Sequence, residues 1–145
     1  MSEIQIRLCR AEDFEAVVPL LCQLWPGKPL DTLALRVVFD KALASDAQIY
    51  LCVTEGSRVI GFGSLTFKNN LWHEGSVGNV DELVVDEKCR GKGVGAKLLA
   101  SLIDLARERG CRRVELDSAH HRKEAHRFYE RQGFENRACL FSRIL

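Results

Sequence analysis

The sequence predicts a mixed α/β domain, on three observations. Alternating or wholly apolar runs of strand length recur between segments with apolar residues at helical spacing. Glycine, proline and small polar residues punctuate the joints between them. The chain has 145 residues and is 46% hydrophobic, enough to bury one core and too short for two ordinary domains. The expectation is one domain over residues 1–145, in the order β-α-α-β-β-β-α-β-α-β.

Ile4-Gln5-Ile6-Arg7-Leu8 alternates and reads as a first strand. Ala11-Glu12-Asp13 opens a helix with acids in its first turn, where the helix dipole favours them. Val17, Leu20, Leu21 and Leu24 give that helix its apolar face, and Pro26, Gly27 and Pro29 end it. Asp31 or Thr32 can cap a second helix, with Leu35, Val38, Phe39 and Leu43 facing inward. Ile49–Thr54 and Val59–Phe67 read as two strands joined by the turn Glu55-Gly56-Ser57-Arg58. Lys68–Ser76 is polar apart from Leu71 and Trp72 and reads as a loop or mobile hairpin. Val80–Val85 is a strand and Glu87–Gly93 a basic, glycine-containing loop.

Gly95–Arg109 carries the clearest helical pattern, with Leu98, Leu99, Leu102 and Ala106 on one face and Gly110 closing it. Arg113–Leu116 is a strand. Lys123–Gln132 is a helix stopped by Gly133, and Phe134–Phe141 reads as a last strand.

Charge and cysteine usage narrow the function. Lys plus Arg is 21 and Asp plus Glu is 20, so bulk basicity offers no basis for a nucleic-acid binder. No apolar run has the length to cross a bilayer, and the N-terminus lacks the apolar core of a signal peptide. A cytoplasmic chain is expected. The six cysteines, Cys9, Cys22, Cys52, Cys89, Cys111 and Cys139, form no C-x-x-C pair, which suits reduced and mostly buried thiols.

Arg90-Gly91-Lys92-Gly93-Val94-Gly95 follows a strand and opens a helix. Its glycines let a bulky ligand approach the backbone, and the first helical amides have no internal partner. Such a loop seats a phosphate or pyrophosphate, and Arg90 and Lys92 add charge. The Walker A pattern is absent. The spacing G-x-G-x-G also departs from the G-x-G-x-x-G of dinucleotide binders. A generic ATP or NAD binder is therefore a poor fit.

The same loop resembles the R/Q-x-x-G-x-G/A acetyl-CoA signature of the GCN5-related N-acetyltransferases (GNAT superfamily). Leu83-Val84-Val85 stands where that family has its pantetheine-binding strand. Ala125-His126-Arg127-Phe128-Tyr129-Glu130-Arg131-Gln132-Gly133-Phe134 resembles its A-x-x-F-Y-E-x-x-G-F segment, and Ile6-Arg7 with Asp13 its opening strand and helix. The resemblance spans nearly the whole chain. Glu82-Leu83-Val84-Val85 and Glu124–Tyr129 further resemble the aminoalkylphosphonate N-acetyltransferases. It implies the GNAT fold: a mostly antiparallel mixed sheet with splayed central strands and flanking helices.

By that resemblance, acetyl-CoA is the cosubstrate. Its pantetheine arm would add to the sheet through backbone groups of Leu83, Val84 and Val85. Arg90, Gly91, Lys92, Gly93, Val94, Gly95 and Ala96 would hold its pyrophosphate, while Leu98 and Leu99 belong to the core. A neutral primary amine, preferably of a small molecule, would attack the thioester directly. Candidate acceptors are aminoalkylphosphonates, polyamines, amino acids and aminoglycosides, with protein amines as a further class.

The Val85 N–H would stabilise the oxyanion. Tyr129 matches the tyrosine that faces the CoA sulfur and would protonate the departing thiolate; the residues alone favour a tyrosine packed below the sheet, and the flanking motif favours the acid. The base is Glu82 or Asp81, which an unbroken strand would place on opposite faces. Relatives often carry glutamate at the position of Asn79, which cannot act as a base. Arg122 stands where the family commonly has asparagine, and Ser118 could supply a polar contact instead.

No metal is expected. His120, His121 and His126 lack ligand spacing, and Arg122 and Lys123 beside them repel a cation. A covalent step at Cys89 does not match the family's direct transfer. Trp25–Asp31 and Lys68–Ser76 would shape the acceptor pocket. Similar enzymes often dimerise, and a homodimer is one of the oligomeric states the sequence leaves open. A noncatalytic acyl-CoA sensor on the same scaffold is the alternative reading, disfavoured by Tyr129 and the nearby acids.

Overall fold

The computed structural model describes residues 3–145. A strand β1 (Ile4–Leu8) leads through a short 3-10 turn into α1 (Phe14–Leu24) and α2 (Thr32–Leu43). Three long strands follow: β2 (Gln48–Glu55), β3 (Arg58–Asn70) and β4 (Gly75–Val85). Then come α3 (Val94–Glu108), β5 (Arg113–Leu116) and α4 (Lys123–Arg131). The chain divides into two compact units, one ending at Glu115 and one running Leu116–Leu145.

The first unit is built on a five-stranded sheet in the order β1-β2-β3-β4-β5. β1 to β4 form successive antiparallel ladders. α3 carries the chain back along β4. A Cβ added to Gly63, which opposes Leu83, would meet Leu98 and Leu102, whereas one at Gly78 would meet Ala106. The chain therefore returns to the start of β4, where the Arg112 N–H donates to the Ser76 carbonyl (2.7 Å) and β5 begins. β5 runs parallel to β4 from that point, which makes the sheet mixed.

Strand alternation gives the sheet two apolar faces. Phe62, Cys52 and Val84 face one way, onto Phe14, Val17, Leu20, Leu21 and Phe39 of α1 and α2. Gly63 and Gly78 face the other way, onto α3. Leu98, Leu99 and Leu102 are fully buried, as expected for the inward stripe of the sequence. Each such leucine contributes about 1.5–3 kcal/mol by leaving water.

Three expectations need correction. Of the two readings of Lys68–Ser76 the loop fails and the hairpin holds: β3 and β4 continue their pairing to Asn70 opposite Gly75, and only Leu71–Glu74 turns. Alternating backbone pairing outlasts the apolar signal there, because an exposed end of a sheet can be polar on both faces. Phe134–Phe141 is not a strand, and Leu140 and Phe141 are exposed. That segment lacks sustained alternation, so it has no face to bury. In α2, Val38 is exposed; Leu35, Phe39, Ala42 and Leu43 make the inward stripe instead.

Candidate active site

The centre of the site is a β-bulge. Gly63 opposes Leu83, but Leu65 opposes Val80, so Ser64 faces both Asp81 and Glu82. One extra residue on β4 breaks the ladder and leaves a backbone donor to satisfy. Ser64 does so: its Oγ accepts from the Glu82 N–H (2.8 Å) and donates to Glu82 Oε1 (2.5 Å). Ser64 is itself 0% exposed.

The bulge corrects the expectation that Asp81 and Glu82 lie on opposite faces. Thr66 Oγ1 donates to Asp81 Oδ2, and Asn79 Nδ2 donates to Asp81 Oδ1 (2.7 Å). Ser64 and Thr66 share a face of β3, so the two carboxylates they hold share one as well. Tyr50 opposes Ser64 on β2 and joins the same patch, its ring packed edge-on against Phe62 at 5.1 Å. Burial pushes the Glu82 carboxyl above the ordinary range and the Asp81 charge adds to this, while the Ser64 hydrogen bond opposes it. Burial also pushes the Tyr50 phenol up to about 12, with Glu82 and Asp81 contributing.

Beyond the bulge, β4 turns a polar edge away from β3. The Asp86 N–H donates to the Ile60 carbonyl (2.8 Å), which fixes the phase of the ladder. Val84 thus spends its backbone groups on Phe62, while Leu83 and Val85 direct theirs to the opposite side. β5 has four residues and covers roughly 13 Å of edge from the start of β4, well short of Leu83 and Val85. Arg90 Nε donates to the Val85 carbonyl (2.9 Å), so the arginine folds back over the end of the strand.

The glycine loop joins this edge to α3. Gly91 and Gly93 have φ of 78° and 79°, and a Cβ on either would meet nothing within 4 Å. They are glycine for their backbone angles, and the space over them is open. Gly93 caps α3 with no side-chain partner, so the amides of Val94, Gly95 and Ala96 stand at the positive end of the helix. Lys92 is exposed, Val94 is buried, and the Cys89 thiol beside the loop is buried too.

The second unit holds Tyr129. Gly133 takes φ 92°, which turns the chain so that the Phe134 N–H reaches the Tyr129 carbonyl (3.0 Å). The Tyr129 ring is thereby flanked edge-on by Phe128 (5.4 Å) and Phe134 (5.9 Å). Burial raises the phenol pKa, and the Arg122 charge lowers it only in part. The Ser118 hydroxyl is buried with no hydrogen-bond partner among the described residues. His126 Nε2 lies 2.9 Å from the Ala119 carbonyl, and His120 and His121 are exposed.

Cys9, Asp13 and Cys52 form the one cluster of metal-compatible spacing among the described residues. Asp13 there already faces the Arg7 guanidinium (2.8 Å), which would repel a cation.

Residues 14–134 match the model of the Acetyltransferase (GNAT) family. This chain belongs to that family. Its GNAT relatives include an aminoalkylphosphonate N-acetyltransferase of Salmonella typhimurium, 32% identical over 100% of this chain and 94% of the relative. A glucosamine 6-phosphate N-acetyltransferase of Trypanosoma brucei brucei is 29% identical over 91% of this chain and 89% of its own. Among solved structures, the aminoglycoside N-acetyltransferase AAC(6')-Iy in complex with CoA superposes with a TM-score of 0.88. That likeness covers 99% of this chain and 96% of the other at 22% identity, and it shows the fold. The protein is thus a GNAT acyltransferase, with acetyl-CoA as cosubstrate. Nothing in these relatives supports a noncatalytic sensor. No helix among the described residues is long and apolar enough to cross a membrane.

Three members of the bulge patch, Ser64, Thr66 and Tyr50, escaped the sequence reading. Their signal was present: Ser64 and Thr66 are the polar alternates of an otherwise apolar central strand. A small hydroxyl at such a position is there to meet a backbone or side-chain partner.

Proposed function

We propose that this GNAT enzyme moves the acetyl group of acetyl-CoA to the primary amine of a small molecule, by direct attack of the amine. One observation carries the reading: a carboxylate of raised pKa, Glu82, is fixed at the β4 bulge, next to a stretch of strand edge that β5 is too short to reach. The residues fit the cosubstrate. Open space over Gly91 and Gly93, and the amides of Val94, Gly95 and Ala96, suit its pyrophosphate, with Lys92 and Arg90 adding charge. The outer edge of Leu83 and the N–H of Val85 suit an extended amide-bearing arm. When bound, acetyl-CoA supplies the activated thioester.

The remaining steps belong to the chain. Glu82 accepts the proton that the ammonium must lose, and Asp81 on the same face helps to hold the cation before it does. Val85 N–H stabilises charge developing on the acyl oxygen, a contribution of about 3 kcal/mol for one such donor. Tyr129, protonated at neutral pH, gives its proton to the leaving sulfur. The acceptors to try first are aminoalkylphosphonates, with amino sugars next, because relatives are named for such amines.

Release of CoA thiol with a panel of amines tests this. Turnover with a small primary amine is expected. Tight acetyl-CoA binding without turnover on any amine would overturn it.

A further inference from the structure

A buried serine on a central strand has no obvious reason to be polar. Ser64 is 0% exposed, and its neighbours along β3, Gly63 and Leu65, are buried as well. Its hydroxyl would cost stability if left without partners. Instead it serves both ends of one residue, accepting from the Glu82 N–H and donating to Glu82 Oε1. A hydroxyl has one proton to give, so these two bonds fix its rotation. No other hydrogen bond to the Glu82 carboxylate is found among the described residues.

We infer that Ser64 is a positioning residue for the transfer reaction: it locks the Glu82 carboxylate at the bulge, one oxygen engaged and the other presented to the acceptor amine. This rests on the reading of Glu82 as base. The bulge explains why a hydroxyl is needed. In an unbroken ladder β3 would pair the Glu82 N–H, and Asp81 would lie on the face opposite Glu82. With the extra residue both carboxylates come to the face of Ser64, and the Glu82 N–H needs a partner that reaches it from β3. Serine is the smallest residue that can give and accept a hydrogen bond at this fully packed position.

The groups facing Glu82 are few. Asp81 lies beside it on β4, Tyr50 faces it from β2, and Ser64 from β3. Asp81 raises the affinity of Glu82 for a proton, whereas the Ser64 hydrogen bond stabilises the ionised form. Removing the hydroxyl should therefore move the Glu82 titration upward.

The test is a double-mutant cycle of Ser64→Ala and Glu82→Gln, with two readouts. Ser64→Ala alone should lower kcat/KM about tenfold at neutral pH, the usual scale of a hydrogen bond to a charged group. Its acidic limb should shift to higher pH. In the Glu82→Gln background the same change should cost less than about twofold. Calorimetry with CoA should give unchanged affinity in all four proteins, which certifies folding. If Ser64→Ala unfolds the chain, Ser64→Cys replaces it, keeping the volume while weakening the donor.

Independently of turnover, carbon-13 NMR of the Glu82 carboxyl should show its titration moving upward in Ser64→Ala. An equal penalty in both backgrounds, or an unmoved titration, overturns the inference. Loss of the amine reaction in the unmodified enzyme would instead overturn the proposed function, and the NMR titration would still decide the role of Ser64.

Discussion

Arg7 grips Asp13 with both guanidinium nitrogens, Nη1 to Oδ2 at 2.8 Å and Nη2 to Oδ1 at 2.9 Å. The Arg10 N–H adds a third donor to the same carboxylate at 2.7 Å. The pair ties β1 to the start of the first helix, on a side chain that is largely buried. The Arg7 hydrogen bonds hold the Asp13 carboxyl at about 2, below its ordinary 3.8. A depressed acid contributes stability that is full above the unfolded pKa and lost as pH falls through the folded one. The expected loss is about 2 kcal/mol between roughly pH 4 and pH 2. Denaturant melts across that window check it, and Asp13→Asn should flatten the slope while lowering stability at neutral pH.

Glu82 has the opposite sign. Burial raises its pKa, so the neutral form is favoured and the activity of a base should appear only as pH rises through that value. The acidic limb of kcat/KM should lie above the ordinary carboxylate range. Glu82→Gln should cut kcat/KM at neutral pH by about 10²- to 10⁴-fold, the common scale of a general base. The deficit should shrink at alkaline pH, where the amine loses its proton unaided. A pH profile of both proteins is the measurement, and an unshifted profile in Glu82→Gln would remove Glu82 from the base role.

Tyr129→Phe separates proton donation from packing. The ring sits between Phe128 and Phe134, contacts that phenylalanine would keep. Stability and CoA affinity should stay near those of the unmodified chain, and kcat should fall about a hundredfold where chemistry limits turnover. Steady-state kinetics beside calorimetry distinguishes the two. A full kcat would leave the hydroxyl without a catalytic role.

Much of this is legible in the sequence, because the strongest signals are local. The α3 stripe of Leu98, Leu99, Leu102 and Ala106 follows from helical spacing, and the loop from Arg90 to Gly95 from glycine chemistry. The placement of Asp81 and Glu82 was not legible. Both lie in a run that reads as an unbroken strand, and the bulge between Gly63 and Leu65 is a property of two paired strands. The length of the β3–β4 hairpin was hidden for a similar reason: its polar end is held by partner strands rather than by its own pattern. Phe134–Phe141 was not legible either: its apolar residues do not alternate, so they define no face to bury, and Leu140 and Phe141 stand exposed.

Gly93 tests the proposed phosphate seat. Its φ of 79° is open to glycine and strained for alanine, yet an added Cβ would meet nothing within 4 Å. Gly93→Ala should therefore cost about 1–2 kcal/mol of stability through backbone strain alone. The space over the loop is what a diphosphate would occupy, so CoA affinity should fall as well, by tenfold or more. Dephosphorylated pantetheine, which lacks that group, should bind both proteins equally. Calorimetry with the two ligands measures the difference, and an equal loss for both would mean that the loop has merely been unsettled.

Gly63 offers a complementary change on the sheet itself. Its would-be Cβ comes within 3.0 Å of Leu102 Cδ1 and 3.2 Å of Leu98 Cδ1. Both leucines are fully buried in the α3 stripe and have little room to retreat. Gly63→Ala should destabilise the protein by about 1–3 kcal/mol through overpacking. Pairing it with Leu102→Ala should recover part of that loss, since the second change vacates the contested volume. Thermal melts of the two single variants and the double variant measure the coupling. Strict additivity would show that the cost lies in the strand backbone and not in the contact with α3.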